Sequence, residues 1–144
     1  MSAESSPMKS ADAMLADVDA AATDDDAVAA AGKLLACAEE VLEHWIAARG
    51  EMPTSERREQ FRLLALHHQG AGGVPSFNAC RETCREIAYH YNLLCLEPEN
   101  EQRLRRQRMM AMLVRHLALF VTGKMQIEGL GEFCCASRPL RLES

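Results

Sequence analysis

Apolar side chains return at every third or fourth position from Val28 to Trp45, through Ala31, Leu35, Ala38 and Leu42. That spacing is a helical period, so it gathers these residues into one stripe that has to be buried against something. Similar stripes follow along the chain, and Gly50, Gly70, Pro98 and Gly123 stand where each one stops. Strands favour aromatic and β-branched residues, and only 5 % of this chain is aromatic, so the composition points the same way. The pattern predicts an all-α fold, an antiparallel up-down helical bundle of about four helices.

The first helix is expected from Asp24 or Asp25, which can cap it, to about Arg49. A second runs from about 55 to 69 behind Thr54 as cap, with Phe61, Leu64, Ala65 and His68 on its inner face and His67 outward. A third starts near Ser76 or Asn78 and ends by Leu96, burying Cys80, Cys84, Ile87, Ala88, Tyr91, Leu94 and Cys95. The fourth starts near Glu99 and ends by Val121, with Met109, Leu113, His116, Leu117 and Phe120 inward. Residues 24–126 form the bundle domain in this reading. Residues 1–23 are a mobile acidic tail with at most a short helix near Ala11–Ala20, and residues 127–144 are an irregular tail.

Charge narrows the function classes. Residues 1–50 carry ten acidic and three basic side chains, and residues 99–144 carry five acidic and eight basic. A net −7 at the front and +3 at the back do not make the broad positive surface that nucleic-acid binding needs. No run approaches the ~20 apolar residues of a membrane helix, and the N-terminus has no signal-peptide pattern. A cytoplasmic location is expected, with six cysteines held as thiols rather than as a disulfide framework.

The chemistry-bearing stretch is FNACRETCREIAYHYNLLC, residues 77–95. Cys80 and Cys84 are four apart and share a helix face. His90 lies six residues beyond Cys84, a rise of roughly 9 Å, so it belongs to the flank beside Glu86. Turning the third and fourth helices about Pro98 brings Cys80 level with His116 and Cys84 with Met112. Turning the second and third about Gly73 brings Cys80 level with Leu66, beside His68. Cys37 reaches that level but faces away from its helix's stripe.

His68, Cys80, Cys84 and His116 thus form the expected site. Two thiolates and two imidazoles suit zinc or another transition metal. The competing expectation is two inert core thiols near two hydrogen-bonded histidines. Cys134 and Cys135 follow in the tail on the same side. Other features are weaker. GAGGVPS, residues 70–76, matches no phosphate-binding fingerprint, and RLRRQR, residues 103–108, spreads its arginines around the helix.

Leu63, Leu66, Leu93 and Leu96 fall outside the faces assigned to the core, which predicts a second buried surface, most simply a homodimer. No catalytic constellation is identified by motif, and the ExxH spacing of bundle di-iron sites is missing. The expected function is a non-enzymatic interaction or regulatory module with an unknown protein partner. The alternative is a thiol-based metal-binding or redox-sensing protein.

Overall fold

The computed structural model describes residues 11–129. In chain order the helices are α1 (Ala11–Ala22), α2 (Ala27–Ala48), α3 (Arg62–Gly70), α4 (Arg81–Leu96) and α5 (Arg103–Ile127), with a 3-10 turn over Pro75–Cys80 leading into α4. The expected all-α bundle is found, with five helices where about four were read. α2 and α5 are the long central pair; α5 also packs on α1 and α4, and α2 on α1, α3 and α4. No helix among the described residues is long and apolar enough to cross a membrane.

The additional helix is α1, in the stretch expected to be a tail. Met14, Val18 and Ala21 recur at helical spacing and are buried against the rest of the molecule. Around them stand Asp and Ala, which is why the stretch reads as polar. α1 is also tied down by polar contacts. Gln107 of α5 is fully buried, and its amide donates to the carbonyls of Ala21 at 3.2 Å and Asp24 at 3.0 Å. Arg103 donates to the same Asp24 carbonyl at 3.3 Å, and Arg115 bonds the Asp19 carboxylate. Residues 1–10 and 130–144, including Cys134 and Cys135, lie outside the described residues. Met14→Ala is expected to cost about 2–5 kcal/mol, the usual range for truncating a buried large residue, seen as a lower urea midpoint. An unchanged midpoint would mean that α1 is not part of the cooperative unit.

The five-helix packing also widens the inner faces: Ala31, Ala38, Leu42 and Trp45 of the expected α2 stripe are buried, and further residues join them. α2 opens on Asp26, whose carboxylate accepts from the Ala29 N–H at 3.0 Å. Sandwiched between α1 and α5 on one side and α3 and α4 on the other, it buries Ala30, Leu34, Cys37, Val41 and Trp45. Val28, expected inward, is 47 % exposed, and Cys37, expected to face away, is buried. α5 buries Gln107, Met110, Val114, Leu117 and Val121. Its expected inner residues Met109 and His116 are instead on the outside, with Leu113 and Phe120 at the flank.

α3 starts seven residues later than expected. Thr54 does not cap it. Its hydroxyl accepts from the Glu56 N–H at 3.0 Å in a local turn, and its own N–H donates to the Gln69 side chain at 2.9 Å. Arg58 and Phe61 then exchange two backbone hydrogen bonds, at 3.0 and 2.9 Å, around a tight turn. Its central residues, Glu59 and Gln60, have φ of 51° and 73°. Such a turn is usually signalled by Asn-Gly, and this sequence offers neither residue there.

Candidate functional site

Trp45 is where the bundle converges. It is fully buried, its indole N–H donates to the Gly70 carbonyl at 2.9 Å, and its ring stacks on Phe77 at 4.7 Å between centroids. Gly70 has to be glycine for this contact, because a Cβ would lie 2.9 Å from the Trp45 ring. Phe77 sits in the 3-10 turn and also meets His67 at 5.5 Å and Phe120 at 5.8 Å. This turn therefore joins α2, α3 and α5 immediately before α4 begins.

The thiols lie on the other side of the same turn. Cys80 and Cys84 are both buried, at 2 % and 0 % exposure. The Cys80 thiol donates to the Phe77 carbonyl at 3.3 Å, and His67 Nε2 lies 3.1 Å from that same oxygen. The neighbouring Cys84 thiol is the largest influence holding the Cys80 thiol well below its ordinary range, at about 6. His67 and the backbone at the start of α4 act in the same direction, while burial opposes them. Donating to Cys80, together with its own burial, pushes the Cys84 thiol well up.

The four residues expected to share a metal are not brought together. Cys80 and Cys84 are adjacent, but His68 and His116 are both exposed. Among the described residues no group of three or more His, Cys, Asp or Glu side chains is placed to hold a metal ion. The histidine that does reach the thiols is His67, buried at 5 % exposure and expected from the sequence to point outward. The one-residue shift follows from the late start of α3. Its inner face is Leu63, Leu66, His67 and Gly70, a spacing of three, four and seven visible in the sequence once Gly70 is recognised as a contact with Trp45. His90 does sit on the flank, where it bonds the Glu86 backbone carbonyl at 2.9 Å.

A cleft of about 330 Å³ opens beside the thiols. His67, Asn78, Arg58, Arg81 and Arg85 are among the residues that line it. Glu59, from the left-handed turn, bonds Arg85 at 3.0 Å and neutralises part of that charge. Cys80 is not itself part of the cleft lining, but its hydrogen-bonding neighbour His67 is.

The expected interface leucines divide. Leu63 and Leu66 are fully buried within this one chain and cannot present a surface; they are core residues of α3. Leu93 is half-buried and Leu96 is 79 % exposed. The apolar surface that sequence reading missed is the outer face of α5. Met109, Met112 and Leu119 are exposed there beside His116. The signal was present as alternating steps of four and three, but Met109 and His116 were assigned to the core.

The chain matches no family model, no curated protein and no solved structure.

The thiol pair has a pH signature. Cys80 ionises in the folded protein near pH 6, whereas an unfolded thiol ionises near ~8.5. Between those values the unfolded chain binds more protons, so stability rises with pH. The gain from Cys80 is complete above the unfolded range and disappears as pH falls through about 6. Cys84, whose folded value is raised, acts oppositely and lowers stability only above the unfolded range. Urea midpoints should therefore climb from pH 6 to 8, and Cys80→Ser should flatten that climb.

Proposed function

We propose that this protein is a non-enzymatic helical association module that works as a homodimer through the outer face of α5. The supporting observation is the arrangement of that face. Arg105, Met109, Met112, His116, Leu119 and Gly123 recur at steps of four and three, the repeat of a coiled-coil seam, on the side opposite the core.

The seam is self-complementary when a second copy runs antiparallel. Residues whose numbers sum to 228 then lie level, so Met109 faces Leu119, Met112 faces His116 and Arg105 faces Gly123. Gly123 has open space where a side chain would stand, room for the Arg105 stem. On one flank, the half-buried Leu113 lies beside the two-fold axis, near its own copy. On the other, Arg115 already carries Asp19 as counter-ion. A parallel pairing would instead set Arg105 and Arg108 against their copies, and like charges at such positions disfavour it. The acidic surface of α1 and α2 and the arginines at the start of α5 would then select which further protein binds. Light scattering tests the reading. A mass near twice 16.0 kDa is expected, and a mass of 16.0 kDa at tens of micromolar would refute it.

A further inference from the structure

We infer that Cys80 and Cys84 are a redox pair that a small hydroperoxide converts to an intrahelical disulfide, with Phe77 carrying the change into the Trp45 cluster. Three features of the structure support this inference, and none depends on how the protein associates.

First, the two thiols are buried one helical turn apart, and Cys80 shares the Phe77 carbonyl with His67. One sulfur can ionise while the other keeps a proton, which is the arrangement a nucleophilic and a resolving thiol require. Cys80, at the start of α4 and beside His67, is the nucleophile, in keeping with its lowered thiol range; Cys84, fully buried one turn further on, is the resolver. Cys37 and Cys95 are elsewhere in the bundle, on α2 and at the far end of α4.

Second, the backbone is placed to close the bond. Four residues of helix rise about 6 Å, within the Cα separation a disulfide spans, but helix neighbours keep their Cβ atoms about 5–6 Å apart where a disulfide needs ~4 Å. Closing that gap takes a movement of about an ångström or two. Cys80 is the residue that can make it. It stands at the junction between the 3-10 turn and α4, with φ −100° and ψ 11°, and no side chain caps the helix there.

Third, the turn that must move bears Phe77. When Cys80 gives up its thiol proton, its bond to the Phe77 carbonyl is lost, and His67 remains as the partner of that oxygen. Displacing the turn shifts Phe77 against Trp45, the single tryptophan of the chain. The molecule therefore contains its own optical reporter.

The chemistry balances with a hydroperoxide as oxidant. The Cys80 thiolate attacks the outer peroxide oxygen; an S–O bond forms, the O–O bond breaks, and the alkoxide or hydroxide leaves with the proton released by Cys80. Cys84 sulfur then attacks the Cys80 sulfenic sulfur; the S–S bond forms, the S–O bond breaks, and water leaves with the Cys84 proton. Two thiols are oxidised and one peroxide is reduced. His67, which shares the Phe77 carbonyl with Cys80, lines the cleft from which a small oxidant would approach.

The test uses the full chain and hydrogen peroxide. After exposure, free thiols are blocked under denaturing conditions and the protein is digested with trypsin without reduction. Cleavage after Arg81 separates the two cysteines, so a Cys80–Cys84 bond appears as two peptides joined by a disulfide. That species is expected, accompanied by a change in Trp45 emission that dithiothreitol reverses. In Cys84→Ser, Cys80 should be trapped as the sulfenic acid and captured by a 1,3-diketone. In Cys80→Ser, Cys84 should stay reduced. Recovery of both residues as free thiols, at a peroxide dose that oxidises Cys95, would overturn the inference. So would oxidation of Cys84 at an unchanged rate in Cys80→Ser.

Discussion

Trp45→Ala is expected to lower stability by about 3–5 kcal/mol, comparable with the whole stability of a small domain, ~5–15 kcal/mol. The side chain is fully buried, and its loss leaves a void between α2, α3 and the 3-10 turn where Phe77 stacks. It also removes the indole N–H from the Gly70 carbonyl, which keeps only the longer contact from Arg49 at 3.3 Å. Trp45→Phe separates the two contributions. It retains most of the ring packing and gives up the hydrogen bond, which is worth about 1 kcal/mol. Urea denaturation of the three proteins measures both. Equal losses for Ala and Phe would mean that the hydrogen bond, not the packing, holds this junction.

The second large effect concerns association. Leu119→Glu places a carboxylate opposite Met109 of the second copy in the proposed seam, twice per dimer. Opposite a methionine that carboxylate is desolvated and unpaired, which costs several kcal/mol, and about 1.4 kcal/mol is tenfold in affinity, so dissociation should rise by at least ~100-fold. Leu119 is 57 % exposed in the single chain, so folding of each copy should be nearly unaffected. Circular dichroism should stay helical while the mass from light scattering falls to 16.0 kDa. Leu63→Glu is the contrasting variant. Leu63 is fully buried in the chain itself, so that change should unfold the protein, not merely separate two copies.

The parts of this fold that sequence reveals are those where every inward residue is apolar. α4 is the clear example: Cys80, Cys84, Ile87, Ala88 and Leu94 are buried as their spacing requires, and Pro98 marks the end. α5 misleads for a physical reason. Its inner face contains Gln107, a polar residue whose buried amide is satisfied by backbone carbonyls near the end of α1. Its outer face contains two methionines and a leucine. Hydrophobic pattern alone then keeps Leu117 inside correctly, but also draws in Met109 and His116, which are exposed. α1 was hidden because its three core contacts are diluted among aspartates. The thiol pair was legible as a pair. Its histidine was not, because a one-residue error in the face of α3 exchanges His67 for His68.

The antiparallel register of α5 against a second copy is tested most directly by a cross-link between two positions that only that register brings level. In a Met109→Cys/Leu119→Cys double variant, a short bifunctional thiol reagent should join the sulfur introduced at position 109 of one copy to that introduced at position 119 of the other. The product is a covalent species near twice 16.0 kDa. Within one chain these positions are ten residues apart, about 15 Å along the helix, beyond the reach of a short linker. Tryptic mapping should find the 109–115 peptide bonded to the 116–124 peptide. A 109-to-109 product would show a parallel pair. Failure to form any product through these two positions would show that the outer face of α5 is not where two copies meet.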